Sequence, residues 1–235
     1  MIYLDNAATT ALSPAAIQAM TKTMTVFGNP SSTHSHGREA SKLLRQARED
    51  IAQALHTQSN KILFTSGGTE SNNTAIKGYA LRHQNRGKHI VTTAIEHHAV
   101  LEVVEYLVDK FGFEATFVQP VDGQIRAADI KKALRPDTIL VSVMAVNNET
   151  GAMLPIKEIG ELLHEHPAVF HVDAVQAIGK LPIYPDELGI DFLSASAHKF
   201  HGPKGVGFLY AKKMDFDNFM HGGDQEEKHR AGTEN

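Results

Sequence analysis

Apolar residues in this chain fall into short runs separated by stretches of helical period, and that alternation sets the expected fold class. Ser13-Pro14 reads as an N-cap followed by proline at the first helical position, with a helix running to about residue 26. Gly28-Asn29-Pro30-Ser31-Ser32 then breaks it. A second helix, from about 37 to 55, places Ala40, Leu43, Leu44, Ala47 and Ile51 on one face and Arg38, Glu39, Arg45 and Glu49 on the other. It is expected to lie on a core with those four charged residues solvated.

From there short apolar runs alternate with helical segments. Strands are expected at 61–65, 90–94, 114–118, 139–143, 169–172, 192–195 and 206–210, and helices at 70–83, 99–111 and near 156–164, with a further segment at 130–134. Strands of this kind separated by helices predict an α/β three-layer sandwich with a mostly parallel central sheet. Such sheets bind ligands at the carboxyl ends of their strands. Residues 1–13 read as an N-terminal arm and 14–235 as one large domain.

Composition adds exclusions. At 235 residues, 42% hydrophobic and 21% charged, the chain has the make-up of a globular protein with room for a sizeable core. Lys plus Arg number 23 against 27 Asp plus Glu, a net charge of −4, which gives no support for nucleic-acid or acidic-membrane binding. The start Ile2-Tyr3-Leu4-Asp5 lacks a basic region and apolar leader, and no apolar stretch would span a bilayer, so a cytoplasmic protein is expected. Fourteen histidines invite a metal, but His34/His36 and His164/His166 have no third ligand at a suitable spacing, and none is expected. With no cysteine, the chain offers neither disulfide nor thiol nucleophile.

The candidate chemistry sits at strand ends. His198-Lys199 follows the run Phe192-Leu193-Ser194-Ala195-Ser196-Ala197 and precedes His201-Gly202-Pro203-Lys204-Gly205. An amine delivered there by an apolar strand, partly desolvated and beside a cation, is a candidate Schiff-base lysine. Ser66-Gly67-Gly68-Thr69 lies between a strand and a helix, where backbone N–H groups and the helix dipole favour a phosphate. Asp173 ends the strand Val169-Phe170-His171-Val172 and could hold a protonated ring nitrogen. Ile95-Glu96-His97-His98 follows a strand, and an imidazole there is a flat group suited to stacking and proton transfer.

These blocks, together with Tyr3-Leu4-Asp5-Asn6-Ala7-Ala8-Thr9-Thr10, His171-Val172-Asp173-Ala174-Val175-Gln176 and Arg230-Ala231-Gly232-Thr233-Glu234-Asn235, closely resemble the cysteine desulfurases. Those are class V members of the fold-type I, pyridoxal-phosphate-dependent transferases. The resemblance implies pyridoxal 5'-phosphate as cofactor, with Gly68, Thr69, Ser196 and His198 at the phosphate, Asp173 at the pyridine nitrogen, and Gln176 and Asn148 at the phenolic oxygen. His97 would stack on the ring and move protons, and Lys199 would be the covalent anchor. Thr233 would reach the phosphate of a second subunit, so a homodimer is implied. The implied activity converts L-cysteine to L-alanine with sulfur passed to a persulfide and on to an acceptor protein, as in iron–sulfur cluster assembly.

Two departures qualify that resemblance. Asp224, in His221-Gly222-Gly223-Asp224-Gln225-Glu226, stands where the family usually has glycine; its charge is harmless if the side chain turns outward and otherwise weakens the contact with a partner subunit near the phosphate. The family's persulfide-forming cysteine and its carboxylate-binding arginine would both lie beyond Asn235, so the chain is expected to be the cofactor-binding large domain without the small carboxy-terminal domain, and inactive on its own. The rival readings are another class V enzyme, an aminotransferase or selenocysteine lyase, and a non-catalytic module for cofactor binding or dimerisation.

Overall fold

Seven short strands form one sheet in the computed structural model, which describes residues 2–235. They are β1 (Ile62–Thr65), β2 (His89–Thr93), β3 (Glu114–Val118), β4 (Thr138–Met144), β5 (Val169–Asp173), β6 (Phe192–Ser196) and β7 (Gly207–Ala211). Their order is β1-β7-β6-β5-β4-β2-β3. β3, β2, β4, β5 and β6 run parallel, whereas β7 is antiparallel to both β6 and β1. Two reversals restore direction, so β1 points the same way as the parallel set. The carboxyl ends of β1, β2, β4, β5 and β6 therefore open on one edge of the sheet.

The helices are α1 (Pro14–Thr23), α2 (Ser35–Ala54), α3 (Gly68–His83), α4 (His98–Phe111), α5 (Ala127–Ala133) and α6 (Ile156–Leu163). Strand residues alternate between two cores, as the two-residue period requires. Leu63, Ile90, Leu140, Phe192 and Leu209 pack with Ile76 of α3 and Val100, Val104 and Leu107 of α4. On the opposite face Ile62, Val91, Val141, Phe170, Leu193 and Tyr210 pack with Ile130 of α5 and Ile159 and Leu163 of α6. Each such buried side chain contributes about 1.5–3 kcal/mol of transfer free energy. The result is the three-layer α/β architecture.

Several expectations need correction. The first helix ends at Thr23, with Met24 as its C-cap, so residues 24–26 lie outside it and Met24 and Phe27 are exposed. The segment at 130–134 is the end of α5 and its C-cap, Leu134. α2 begins two residues early because the His34 ring caps it, Nδ1 accepting from Gly37 N at 3.3 Å. That helix meets the core only near its carboxyl end, through Ile51, Ala52 and Leu55, while Leu43 is exposed; the apolar face read from its period is half uncovered.

Residues ahead of α1 are stitched to the loop after β6. Thr10 donates through N and Oγ1 to the His198 carbonyl at 2.8 and 2.9 Å, and its Oγ1 accepts from His201 N at 2.7 Å. Ser13 N donates to the His201 carbonyl at 3.0 Å. This ordering brings Asp5, Ala7 and Ala8 to the carboxyl edge of the sheet.

Candidate functional site

A cavity of about 590 Å³ lies at that edge. Its wall includes the start of α3, where helix N–H groups have no intrahelical partner, and the turn that leads into it. Gly67 adopts φ +151°, a region nearly reserved for glycine. A Cβ on Gly207 would lie 2.6 Å from Gly67 Cα, so the turn is folded tightly against β7. Gly68 and Thr69 open on the cavity, as does Ser196 at the end of β6.

Lys199 enters from the short 3-10 turn Ala197–Lys199 that continues β6. Its Nζ donates to the carbonyls of Ala7 and Ala8, the latter at 2.8 Å. Burial, followed by the charge of Lys180, pushes its amine below the ordinary lysine value, while Asp5 and Asp173 pull the other way. His198 beside it donates or accepts through Nδ1 with Thr9 Oγ1 at 3.1 Å, and burial with Lys199 and Lys204 nearby lowers its basicity. Lys199 and Lys204 both line the cavity with His198.

Asp173 closes the floor as the last residue of β5. Val175 N donates to its Oδ1 at 3.0 Å and Asn72 Nδ2 to its Oδ2 at 2.7 Å. Burial pushes this carboxyl up; those two hydrogen bonds and the charges of His97 and Lys199 oppose the push. His97 is the N-cap of α4, and its Nδ1 accepts from Ala99 N at 3.1 Å. In the neutral ring that bond leaves the proton on Nε2. His98, by contrast, is exposed and faces Glu102.

The remaining residues singled out from sequence divide. Asn148 lines the cavity with its amide donating to Glu149 Oε1 at 2.6 Å. Gln176 lines it as well, but its Nε2 donates to the Ala7 carbonyl at 2.8 Å and its Oε1 accepts from Lys180 at 3.2 Å. Thr233 is exposed and lies outside the cavity of its own chain. Asp224 does turn outward, 3.7 Å from Lys228 Nζ.

Sequence reasoning missed three contributors. Asn72 occupies α3, whose inward face carries Glu70, Ser71, Asn72 and Thr74 among small residues, so no apolar stripe marks it. Glu70 caps the phosphate-type turn: its Oε2 accepts from Ser66 N at 2.8 Å and its Oε1 from Arg230 Nε at 2.9 Å. Burial pushes the Glu70 carboxyl up, yet the bonds from Arg230 and Ser66 outweigh it and the net shift is downward. Glu96 is wholly buried, its Oε1 accepting from Thr93 Oγ1 at 2.6 Å and Met144 N at 2.9 Å, and burial raises it to about 8. An acid beside His97 was the available signal for the last.

The family model for aminotransferase class V matches residues 2–234. The cysteine desulfurase IscS of Dictyoglomus turgidum is 52% identical over 238 residues, covering all of this chain and 60% of the relative. A putative cysteine desulfurase, IscS 1, of Bacillus subtilis is also 52% identical, covering all of this chain and 62% of its own length. The chain thus spans about 60% of the curated relatives it matches. Among solved structures, SspA in complex with cysteine superposes with a TM-score of 0.95 at 39% identity, over all of this chain and 69% of that one. A NifS-like protein gives 0.95 at 41% identity, over all of this chain and 65% of its own. With the match extending over nearly every residue, the chain belongs to the aminotransferase class V family, among relatives named as cysteine desulfurases.

Proposed function

We propose that this chain provides the pyridoxal-phosphate-binding half of a cysteine desulfurase. The observation that carries the reading is the convergence, on one cavity, of an amine (Lys199), a buried acid (Asp173), an imidazole (His97) and a helix amino terminus (Gly68, Thr69). The donor set fits the cofactor. A dianionic phosphate would meet the free amides of α3 together with Ser196 and His198, and Lys199 Nζ would hold the group covalently. Asp173 would pair with the ring nitrogen, and His97 would lie against the ring. When bound, the group supplies an electron sink.

The chain's own residues then divide the work. Asp173 holds a proton at the ring nitrogen through a charge-assisted hydrogen bond. His97, with its proton on Nε2, and Lys199, with its lowered basicity, are placed to move protons at the substrate carbon. Gln176 and Asn148 would turn to the phenolic oxygen, Gln176 giving up its bond to the Ala7 carbonyl. In this reading exposed Thr233 would serve the phosphate of a second subunit in a homodimer. Sulfur leaving cysteine needs a thiolate acceptor, and this chain has none.

The test offers L-cysteine to the cofactor-loaded chain with and without an added thiol. Alanine is expected only with the thiol, and not from Lys199→Ala. Amino transfer to a 2-oxo acid with no alanine from cysteine would place the chain with the aminotransferases instead.

A further inference from the structure

We propose that Asn72 is a positioning residue for Asp173, fixing the plane of that buried carboxylate and holding it in its charged form. The inference rests on the reading of Asp173 as the partner of a ring nitrogen. Asn72 stands one helical turn after Gly68, so it shares the face of α3 that borders the cavity. It is 1% exposed. Asparagine is a poor residue for a helix interior, and a buried apolar side chain would fill the same space without polar atoms. What it contributes is a donor: Nδ2 reaches Asp173 Oδ2 at 2.7 Å while Val175 N holds Oδ1 at 3.0 Å.

One donor on each oxygen fixes the carboxylate in rotation as well as position. Flipping the amide would set Asn72 Oδ1 against Asp173 Oδ2, two acceptors facing each other, so the orientation has one solution. That orientation leaves Oδ1 buried without a partner. A position selected only for packing would not keep such an atom. The groups around the carboxylate sharpen the need. His97 at the head of α4 and Lys199 after β6 favour its charge, whereas Glu96, buried in the turn before α4, would compete for it as a second negative group. Asn72 can donate but cannot titrate, so its hydrogen bond favours the charged form of Asp173 without itself adding a charge.

The experiment uses the full chain with ¹³C-labelled aspartate, following the Asp173 carboxyl by NMR and assigning it through its loss in Asp173→Asn. No cofactor is needed. Asn72→Ala is expected to move the Asp173 midpoint up by about 1 pH unit, as loss of one hydrogen bond to a charged group implies. Asn72→Asp, the same size, should move it further, because two carboxyls would then share a proton. An Asp173 midpoint that stays at the wild-type value in Asn72→Ala overturns the proposal; if that variant does not fold, an unmoved midpoint in Asn72→Asp does so. Titration with pyridoxal phosphate runs in parallel, with binding to Asn72→Ala expected to weaken about tenfold. Should Asp173→Asn bind the cofactor as tightly as wild type, the functional reading of Asp173 falls. An unmoved midpoint sinks the Asn72 assignment alone.

Discussion

Arg48 grips Glu226 with both ends of its guanidinium, Nη2 to Oε1 at 2.6 Å and Nη1 to Oε2 at 2.8 Å. Phe64 N adds a third bond to Oε2 at 2.9 Å, and the Glu226 side chain is 2% exposed. The pair ties α2 and the edge strand β1 to the segment that follows β7. Glu226→Gln keeps the shape but strands the arginine, and it should cost about 2–4 kcal/mol of unfolding free energy. Urea titration checks this, and a loss below about 1 kcal/mol, the range of exposed pairs, would show that water screens the contact.

Lys199 is expected to be the anchoring amine. After loading with pyridoxal phosphate the protein should absorb in the visible, and borohydride should leave a mass increment on the peptide containing Lys199. Because burial and Lys180 lower this amine, labelling should reach half its maximal rate at a lower pH than an ordinary lysine would show. Lys199→Ala should abolish the adduct; an increment mapped to Lys180 or Lys204 would reassign the site.

Glu96 makes stability fall as pH rises. Between the ordinary carboxyl value of 4.5 and about 8 the folded chain keeps a proton that the unfolded chain releases, so the contribution is complete at low pH and is lost up to about 8. The slope is about 1.4 kcal/mol per pH unit across that window. Glu96→Gln, which still offers an acceptor to Thr93 and Met144, should remove that slope, and urea midpoints compared from pH 5 to 9 would reveal it. Parallel pH profiles for mutant and wild type would mean that the acid ionises freely in the fold.

Glu226, Glu227 and Lys228 hold φ values of 48°, 54° and 75°, three consecutive left-handed residues without a glycine among them. Lys228 is the one to change, since its amine sits 3.7 Å from exposed Asp224 and contributes little. Lys228→Gly should raise stability by about 0.5–1 kcal/mol, strain relief of 1–2 being partly offset by the freer unfolded chain. A calorimetric melting point equal to or below that of the parent would show that the turn is relaxed.

Strand and helix boundaries were legible to within about two residues wherever an apolar run met a turn, as at β3 and β5. What the periodicity hid were features made by side chains far apart in sequence. His34 is not a customary N-cap, so the true start of α2 was invisible. Buried polar residues defeat a hydrophobic pattern altogether: His171 bridges Ser142 and Ser194 at 2.8 and 3.0 Å from the middle of a strand that reads as apolar. The site residues next to strand ends were readable because topology collects those ends. Asn72 and Glu96 were not, because the contacts of Asn72 with Asp173 on β5 and of Glu96 with Met144 on β4 exist only once the sheet register is formed.

The pairing of β1 with β7 has a consequence for how the protein is made. β1 leaves the ribosome early, yet the strand that covers its inner edge is the last of the seven to be synthesised. Until then Ile62, Leu63 and Phe64 present an apolar ribbon with unpaired amides, the kind of edge that invites aggregation. Lys199 and the 66–69 turn also reach one another only when β6 and β7 have been added. The β1 edge therefore stays open until residues 207–211 have been added, and through that interval the apolar ribbon has to be kept from other chains.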